Sequence, residues 1–298
     1  MTAQNVGDRI FFDLSARVKL RVNGTDRVRF LNGQITNDIR KAADTRAVEA
    51  CVLNAKGKMD AHLFLHTGGD SFLIDADPAL QSSLQPRLER YIIADDVQIE
   101  DVTAQSSIFH IIEPAMPSRQ TQKTISAERF GRLGEDIWCE SPRHDEIKAE
   151  LSGHFRFCDE NCAESFRIQH GIPRWGRELT GEIIPVEANL EQRCIDYEKG
   201  CYIGQETISR MKMSGQRNKQ LCGLISKRGL ALTAGMRLFA EPDQKDAGWI
   251  TSAARVAEQE VGLGYVRRGL NSAGTNLRAV SDANAHTLVQ VVDLPFSA

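Results

Sequence analysis

One cysteine in the chain has the neighbours that a reactive thiol needs. Cys201 lies in the segment KGCYIGQE, whose residues are Lys199, Gly200, Cys201, Tyr202, Ile203, Gly204, Gln205 and Glu206. The two glycines allow a tight turn ahead of a helix, and both the positive helix start and the Lys199 ammonium favour a thiolate. The segment therefore predicts a reactive or ligand-forming thiol. The alternative is a half-buried cysteine beside glycines that only turn the chain.

The other cysteines and the histidines show no pattern of a metal site. The chain has seven cysteines, an odd number without any CxxC pair, which favours free thiols over a disulfide framework. Cys158 and Cys162, four residues apart on a predicted helix, are interpreted as small buried side chains. His62 and His66 would share one face of a strand, but neither has a carboxylate or a further histidine at a recognised metal spacing. We therefore expect no metal site.

Hydrophobic periodicity predicts the elements that must position these residues. Three β-rich runs over residues 49–76 are separated by turns and predict a strand meander. A helix then carries leucines at every fourth position on one face, namely Leu80, Leu84 and Leu88.

Chain length and a change of periodicity predict two domains. A chain of 298 residues exceeds what one hydrophobic core normally fills. Helices are predicted at 145–151 and 160–169, and short strands dominate after Gly215. We expect an α+β body over 1–215, with two interleaved subdomains, and a β-barrel domain over 216–298.

Composition argues against several classes of partner. The chain has 37 basic and 40 acidic side chains, a net charge of −3, so no global positive field attracts nucleic acid. No stretch approaches the roughly 18 apolar residues of a membrane span, and the first residues lack an apolar signal core. We expect a cytoplasmic protein without direct nucleic-acid or membrane binding.

Several segments together resemble one protein family. KGCYIGQE is similar to the signature of the YgfZ-type folate-binding iron–sulfur maturation proteins, which belong to the glycine-cleavage T-protein, or aminomethyltransferase, superfamily. RVRFLNGQITNDI, FRIQHGIPRWGREL, GWITSAAR and VGLGYVR resemble other segments of that superfamily. Without the resemblance, Gln34 and Asp38 in the first of these would be helix-end capping groups. The resemblance is weakest over residues 104–155.

The resemblance implies an α+β fold built around a folate. Its body, partly ferredoxin-like, would surround a central folate channel that a C-terminal β-barrel closes on one side. The cofactor would be tetrahydrofolate or a related reduced folate, whose pterin needs a carboxylate or amide and whose glutamate tail needs basic side chains. The implied folate-binding residues are Asp60, Arg167, Gln169, Arg177 and Tyr202. Cys201 and Asp60 are the candidates for catalysis.

Two positions depart from the superfamily pattern. Asp60 matches the first acid of an Asp-Asp pair in the aminomethyltransferases, but Ala61 replaces the second. Gln169 stands where the family usually has Glu, which keeps hydrogen-bonding atoms and removes a charge. From the residues alone, the alternative for Asp60 is a turn-proximal acid on the meander. The alternative for Arg167 is a surface pair with Glu164, three residues earlier.

Three functions are compatible with these residues. The favoured hypothesis is a folate-binding factor for the maturation or repair of iron–sulfur proteins, with Cys201 as the essential thiol and iron–sulfur clients as partners. The alternative, if the chain is an enzyme, is a tetrahydrofolate-dependent aminomethyltransferase in which Asp60 organises the amine and the pterin. A folate-dependent demethylase or oxidase would need a flavin site, and no GxGxxG follows a strand here. Folate alkylation requires an acid and no thiol, so Cys201 favours the first hypothesis.

Overall fold

The meander expected over residues 49–76 is present as three consecutive antiparallel strands. The computed structural model describes residues 9–112, 124–227, 231–242, 244–281 and 285–296. Among these residues, no helix is both long enough and apolar enough to cross a membrane.

The regular elements are numbered in chain order. The helices are α1 (Arg27–Gln34), α2 (Leu84–Glu89), α3 (His144–Ser152), α4 (Glu160–Gln169), α5 (Glu191–Cys194) and α6 (Gln205–Ser214). The strands are β1 (Ile10–Asp13), β2 (Val18–Asn23), β3 (Val48–Leu53), β4 (Met59–Gly68), β5 (Ser71–Ala76), β6 (Gln98–Asp101), β7 (Ser106–Ile112), β8 (Thr124–Ala127), β9 (Gly134–Glu140), β10 (Arg156–Phe157), β11 (Lys219–Ser226), β12 (Arg237–Ala240), β13 (Lys245–Val256), β14 (Gln259–Arg267), β15 (Asn276–Val280) and β16 (His286–Val292).

The chain forms two compact units. Within the described residues, the larger unit consists of 9–159 and Glu191–Arg210, and the smaller unit consists of Glu160–Leu190 and the chain from Met211 onward. The smaller unit therefore contains residues on both sides of Gly215. The domain boundary at that residue stays a prediction.

Two five-stranded sheets form the larger unit. The meander sheet has the strand order β3-β4-β5-β2-β6, and the second sheet has the order β10-β1-β7-β9-β8. Every residue of β3 is buried, because the meander sheet is covered on both faces at that strand. The second sheet packs against α3 through an apolar cluster formed by Phe11, Phe109, Ile111, Ile137, Ile147, Leu151 and Phe155.

A closed six-stranded barrel forms most of the smaller unit. Its strand order is β11-β14-β13-β12-β15-β16, and its inward side chains fill one continuous core. The C-terminal β-barrel expected from the sequence is confirmed. Closure leaves no unpaired sheet edge among these strands.

The predicted helices are also present, with one local difference. The helices expected at 145–151 and 160–169 are α3 and α4. The leucine-bearing helix begins instead as a 3₁₀ turn, Pro78–Leu80, which the Asp77 carboxylate caps by accepting a hydrogen bond from the Ala79 amide at 3.0 Å. It continues as α2, and Leu80, Leu84 and Leu88 are all buried as predicted.

A buried arginine connects the two sheets of the larger unit. Arg129, just after β8, donates hydrogen bonds of 2.7–2.9 Å to both carboxylate oxygens of Asp75 on β5. It donates others of 2.7–3.0 Å to Asp136 on β9. Its guanidinium lies 4.2 Å from the centre of the Phe64 ring, and Arg17 forms a second ion pair with Asp75.

The charge of Arg129 controls the titration of both carboxyl groups. Burial alone would raise the pKa of Asp75 and of Asp136, but Arg129, together with Arg17 at Asp75 and His110 at Asp136, outweighs burial and holds both pKa values below their usual range. A carboxyl group whose pKa is lower in the folded protein stabilises the fold above its unfolded pKa, near 4. That stabilisation is lost as the pH falls through the folded value.

Replacing Arg129 by methionine should therefore destabilise the protein in a pH-dependent way. At pH 7, Arg129→Met leaves two buried carboxylates without their main cation, and we expect a loss of about 3–5 kcal/mol in the free energy of unfolding. Without the arginine, burial raises the two pKa values, so protonation near pH 4 relieves the variant. Urea unfolding at both pH values should show a smaller difference from wild type at pH 4. The exposed Lys56→Met is the control for charge removal. An equal loss at both pH values would contradict this account.

Candidate functional site

Three segments that stand out in the sequence meet in the larger unit: the end of α1, the β3–β4 turn and the KGCYIGQE loop. The Lys199 ammonium donates hydrogen bonds to the carbonyl oxygens of Asn32 at 2.6 Å and Ile35 at 2.7 Å. The Ile203 amide donates to the Gly33 carbonyl at 3.3 Å. These bonds satisfy carbonyl groups at the end of α1 and attach the loop to it.

Lys199 and Tyr202 are buried parts of this attachment. The Lys199 ammonium lies 5.0 Å from the centre of the Tyr202 ring, a cation–π distance. Burial lowers the pKa of Lys199 to about 8, against the opposing charges of Asp38 and Asp196. Burial also raises the pKa of Tyr202 to about 12. Lys199 therefore holds the loop through its two hydrogen bonds and its contact with the Tyr202 ring.

Cys201 is exposed between these two buried neighbours. It is a free thiol, and it is the exposed one among the free cysteines Cys51, Cys139, Cys194, Cys201 and Cys222 of the described residues. The hydrogen bonds of the Lys199 ammonium go to backbone carbonyls, and α6 begins four residues after the thiol, at Gln205. Thiolate stabilisation at Cys201 stays a prediction, whereas the accessibility of the thiol is a feature of the structure.

The β3–β4 turn lies close to the loop and to the start of α6 at two glycines, Gly57 in the turn and Gly204 in the loop. Gly204 has φ +84°, and a Cβ placed on it would lie 2.6 Å from the Asn54 carbonyl oxygen. Gly57 has φ +75°, and a Cβ there would lie 2.7 Å from Cβ of Thr207 in α6. Only glycine allows such approaches at positive φ. The loop and the turn thus pack backbone against backbone.

Asp60 lines a pocket that begins at this turn. The pocket has a volume of about 330 Å³ and is lined by Asn54, Asp60, Ser83, Arg87, Arg90 and Tyr91. Arg87 donates to Oδ2 of Asp60 at 2.5 Å, to the Leu53 carbonyl at 2.7 Å and to the Gln34 side chain at 3.2 Å. Its guanidinium also lies 4.6 Å from the centre of the Tyr91 ring. Asp60 is therefore held in one orientation.

The polar and aromatic side chains that line this pocket fit the pterin of a reduced folate. The Asp60 side chain is 26% exposed, and among the described residues its Oδ1 accepts no hydrogen bond, so it can accept one from an amino-pyrimidine edge. Tyr91 supplies an aromatic surface. The volume lies at the small end of the range for ligand pockets, which suits a bicyclic ring better than a complete folate.

Asp60 was identified from the sequence and the other five pocket residues were missed, of which Arg87 and Tyr91 are the ones that hold or face it. Arg87 lies on α2 and Tyr91 lies two residues beyond the end of that helix, four positions after Arg87. A basic and an aromatic residue at that spacing next to a predicted core face were the signal that could have identified them. Asp38, by contrast, accepts a hydrogen bond from the Arg40 amide at 2.9 Å, which is the capping role that the sequence alone suggests.

The remaining residues of KGCYIGQE make local contacts. Gly200 is exposed, and a Cβ on it would meet no atom within 4 Å. The Gln205 amide donates to the Tyr202 carbonyl at 3.2 Å where α6 begins. The Glu206 carboxylate accepts a hydrogen bond from Arg210 one helical turn later, at 2.5 Å.

Arg167 lies in the smaller unit, and its guanidinium is fully engaged there. It donates to Glu164, to the Ile172 carbonyl at 3.1 Å, to Glu178 at 3.0 Å and to the Ser252 hydroxyl at 2.7 Å. Two of its nitrogens reach Glu164, so all five N–H groups have a protein acceptor. The pairing with Glu164 is the alternative that the sequence left open.

Gln169 and Arg177 also belong to the smaller unit. Gln169 is half-buried, and its backbone carbonyl accepts a hydrogen bond from the Phe296 amide at 3.1 Å. Arg177 is exposed, and its charge acts on the Glu164 carboxylate. A folate-binding role for either residue stays a prediction.

The cysteines and histidines differ from the sequence expectation in two ways. Cys158 and Cys162 are disulfide-bonded, so the expectation of seven free thiols is wrong for these two. His62 was considered together with His66, but its partner is Glu49, whose Oε1 lies 2.7 Å from Nε2 of His62. Cys194 joins this pair in the larger unit, which no local sequence spacing indicates.

Comparisons with known proteins agree with this fold. No protein-family model matches the chain. The tRNA-modifying protein YgfZ of Escherichia coli is 24% identical over 301 residues, covering 93% of this chain and 90% of that protein. The mitochondrial iron–sulfur cluster assembly factor IBA57 homolog of Dictyostelium discoideum is 25% identical over 257 residues, covering 71% of this chain. The match spans only 61% of the Dictyostelium protein.

A solved structure shows the same fold. The glycine cleavage system aminomethyltransferase T of Bartonella henselae superimposes with a TM-score of 0.85 at 17% identity, covering 97% of this chain and 86% of that one. The chain resembles the YgfZ-type proteins of the T-protein superfamily. The α+β body with a C-terminal barrel is accordingly the T-protein fold, as the resemblance implied.

The two glycines of the KGCYIGQE loop provide a matched pair of variants. Gly204→Ala places a methyl group at positive φ against the Asn54 carbonyl, so we expect a loss of at least about 1–3 kcal/mol in the free energy of unfolding. Gly200→Ala enters open space and should change the free energy of unfolding by no more than about 0.5 kcal/mol. Urea unfolding of both variants measures the difference. Equal effects would mean that the loop does not depend on close packing at Gly204.

Proposed function

We propose that the chain is a folate-binding protein that acts in the maturation or repair of iron–sulfur proteins, with Cys201 as its essential thiol. The observation that carries this proposal is an exposed thiol held between two buried side chains, Lys199 and Tyr202. A cysteine used for packing would be buried, whereas an exposed thiol on an anchored loop can bind the soft iron of a cluster after losing its proton.

The names of the relatives support this proposal. The Dictyostelium relative is named for iron–sulfur cluster assembly, and the Escherichia coli relative for tRNA modification. Both names are compatible with one function if the clients include iron–sulfur enzymes that act on tRNA. Direct tRNA binding fits less well, because the net charge of −3 gives no general attraction for phosphates. A cytoplasmic location stays part of the proposal.

The folate part of the proposal rests on the Asp60 pocket. A bound tetrahydrofolate would supply one-carbon carrier chemistry, and Asp60 would accept hydrogen bonds from the pterin while Arg87 orients its carboxylate. Tyr202 and Gln169 remain proposed folate contacts, and Arg177 is the exposed basic side chain for the glutamate tail. Because the five N–H groups of Arg167 are engaged in the protein, we propose that it positions neighbouring groups.

An aminomethyltransferase remains the alternative. Asp60, the first acid of the transferase pair, is retained, and its carboxylate has one oxygen available. The second position is the buried Ala61, which provides no further proton acceptor. The transferase hypothesis therefore relies on Asp60 as its catalytic residue and gives Cys201 no role.

Reduced folate should bind the purified protein, and Asp60 should contribute to the affinity. Titration calorimetry with tetrahydrofolate should detect binding, and Asp60→Asn should weaken it by about 10- to 100-fold, the equivalent of one hydrogen bond to a charged group. Asp70→Asn, an exposed acid in the β4–β5 turn, is the matched control. Absence of binding at millimolar tetrahydrofolate would contradict the folate proposal. Turnover of an added lipoyl-carried aminomethyl donor would favour the transferase.

Cys201 should be required in cells and dispensable for folding. We expect Cys201→Ala to abolish support of iron–sulfur enzymes in a complementation assay, because the variant lacks the accessible thiol. Its unfolding curve and its folate affinity should stay within error of wild type, since an exposed sulfur contributes little packing. Cys139→Ala, at a half-buried thiol, should complement fully. Full complementation by Cys201→Ala would refute the role of the thiol.

A further inference from the structure

A second cluster of reactive side chains lies in the larger unit, apart from Cys201 and Asp60. Glu49 on β3, His62 on β4 and Cys194 at the end of α5 place one carboxylate oxygen, one ring nitrogen and one sulfur within 4.8 Å of one another. Glu49 and Cys194 are buried, and the His62 side chain is only 13% exposed. None of the three takes part in the proposed folate or thiol function.

The strand register brings these residues to one face. Glu49 and Cys51 are two positions apart on β3, so their side chains share a face of the sheet, and His62 is the cross-strand partner of Cys51. Cys51 is itself buried and forms a sulfur hydrogen bond with Cys194. The cluster thus contains a second thiol beside the first.

Two side chains between α1 and β3 hold α5 against β3 at this point. The Thr36 hydroxyl donates to the Cys194 carbonyl at 2.6 Å and accepts from the Cys51 amide at 2.9 Å. The Asn37 side-chain amide donates to the carbonyls of Glu49 at 2.9 Å and Arg193 at 3.0 Å. The backbones that carry Glu49 and Cys194 are therefore fixed relative to each other before any ligand binds.

We propose that Glu49, His62 and Cys194 bind a zinc ion. Thiolate, imidazole and carboxylate are the ligands that zinc takes in proteins, and a sulfur donor selects against magnesium and calcium. With bonds of about 2.0–2.3 Å, the ligand atoms of a tetrahedral zinc lie about 3.3–3.8 Å apart. The observed limit of 4.8 Å requires only a small contraction, and the direct contact of Glu49 with His62 opens to admit the ion.

The charges around the cluster suit a divalent ion. The Glu49 carboxylate and the Cys194 thiolate together balance the two positive charges of zinc, so no net charge is buried. Arg193 donates to Oε1 of Glu49 at 2.7 Å, which orients the carboxylate from outside the ligand set. The added positive charge of Arg193 is offset by Glu128, with which it interacts electrostatically.

A metal-free ion cluster explains only part of this arrangement. Glu49 with His62 and Arg193 would be a complete buried salt-bridge group without any sulfur. The thiol of Cys194 would add little stability to such a group, because S–H is a weak hydrogen-bond donor. An apolar side chain would fill the same volume equally well. A zinc site accounts for all three residues. The ion would fix α5 seven residues before Cys201.

Metal analysis of the full-length protein tests the proposal. Protein purified from zinc-supplemented cells should contain about one zinc ion per chain, and Cys194→Ser and His62→Gln should reduce this to background. Cys222→Ser, a buried thiol in the barrel, and Cys201→Ser, the exposed thiol, should keep the full zinc content. Loss of zinc in Cys201→Ser with retention in Cys194→Ser would overturn the assignment.

A measurement on the wild-type protein tests the proposal even where a variant does not fold. Chelator-treated wild type should show a higher Tm when zinc is added, since an ion that binds only the folded state stabilises it. Cobalt added in place of zinc should give the charge-transfer absorption of a metal–thiolate bond, and Cys201→Ser should give the same absorption. If wild type takes up neither ion and its Tm does not change, Glu49, His62 and Cys194 form a metal-free buried cluster.

Discussion

The larger unit depends on one guanidinium buried between its two sheets. Arg129 gives paired hydrogen bonds to Asp75 on one sheet and to Asp136 on the other, and the Phe64 ring lies against it. Two buried carboxylates without this cation would oppose packing, so the approach of the sheets requires the arginine. Because β3 and β4 belong to the sheet held in this way, both the Asp60 pocket and the Glu49 cluster depend on it.

On this framework the thiol loop is attached mainly through backbone groups. Lys199 satisfies carbonyls at the end of α1, and Gly204 allows the loop to contact the β3–β4 turn directly. The same turn contributes Asn54 to the pocket that Asp60 lines. The pocket and the exposed thiol of Cys201 therefore share one structural support, which is consistent with a single function for both.

The relation to the aminomethyltransferases is one of fold more than of site. The fold is shared over 97% of the chain, whereas the sequence identity is only 17%. Arg167, which the resemblance implies as a folate-binding residue, donates all five of its guanidinium N–H groups to acceptors within the smaller unit.

Local sequence patterns were sufficient to predict the helices and strands and to single out the segment that contains Cys201. The meander, the leucine stripe and the short strands of the barrel follow from periodicities of two and 3.6 residues, which depend only on near neighbours. The capping role of Asp38 is local in the same way, because Asp38 accepts a hydrogen bond from the amide of Arg40, two residues later.

The contacts between distant side chains could not be predicted from the sequence. Lys199 contacts carbonyls 164 and 167 positions away, and Glu49, His62 and Cys194 come together from two strands and a helix. Such contacts depend on how sheets and helices pack, and a chain offers many alternative partners at those distances. The protein acceptors of Arg167 and the oxidation of Cys158 and Cys162 likewise depend on that packing and have no local signature.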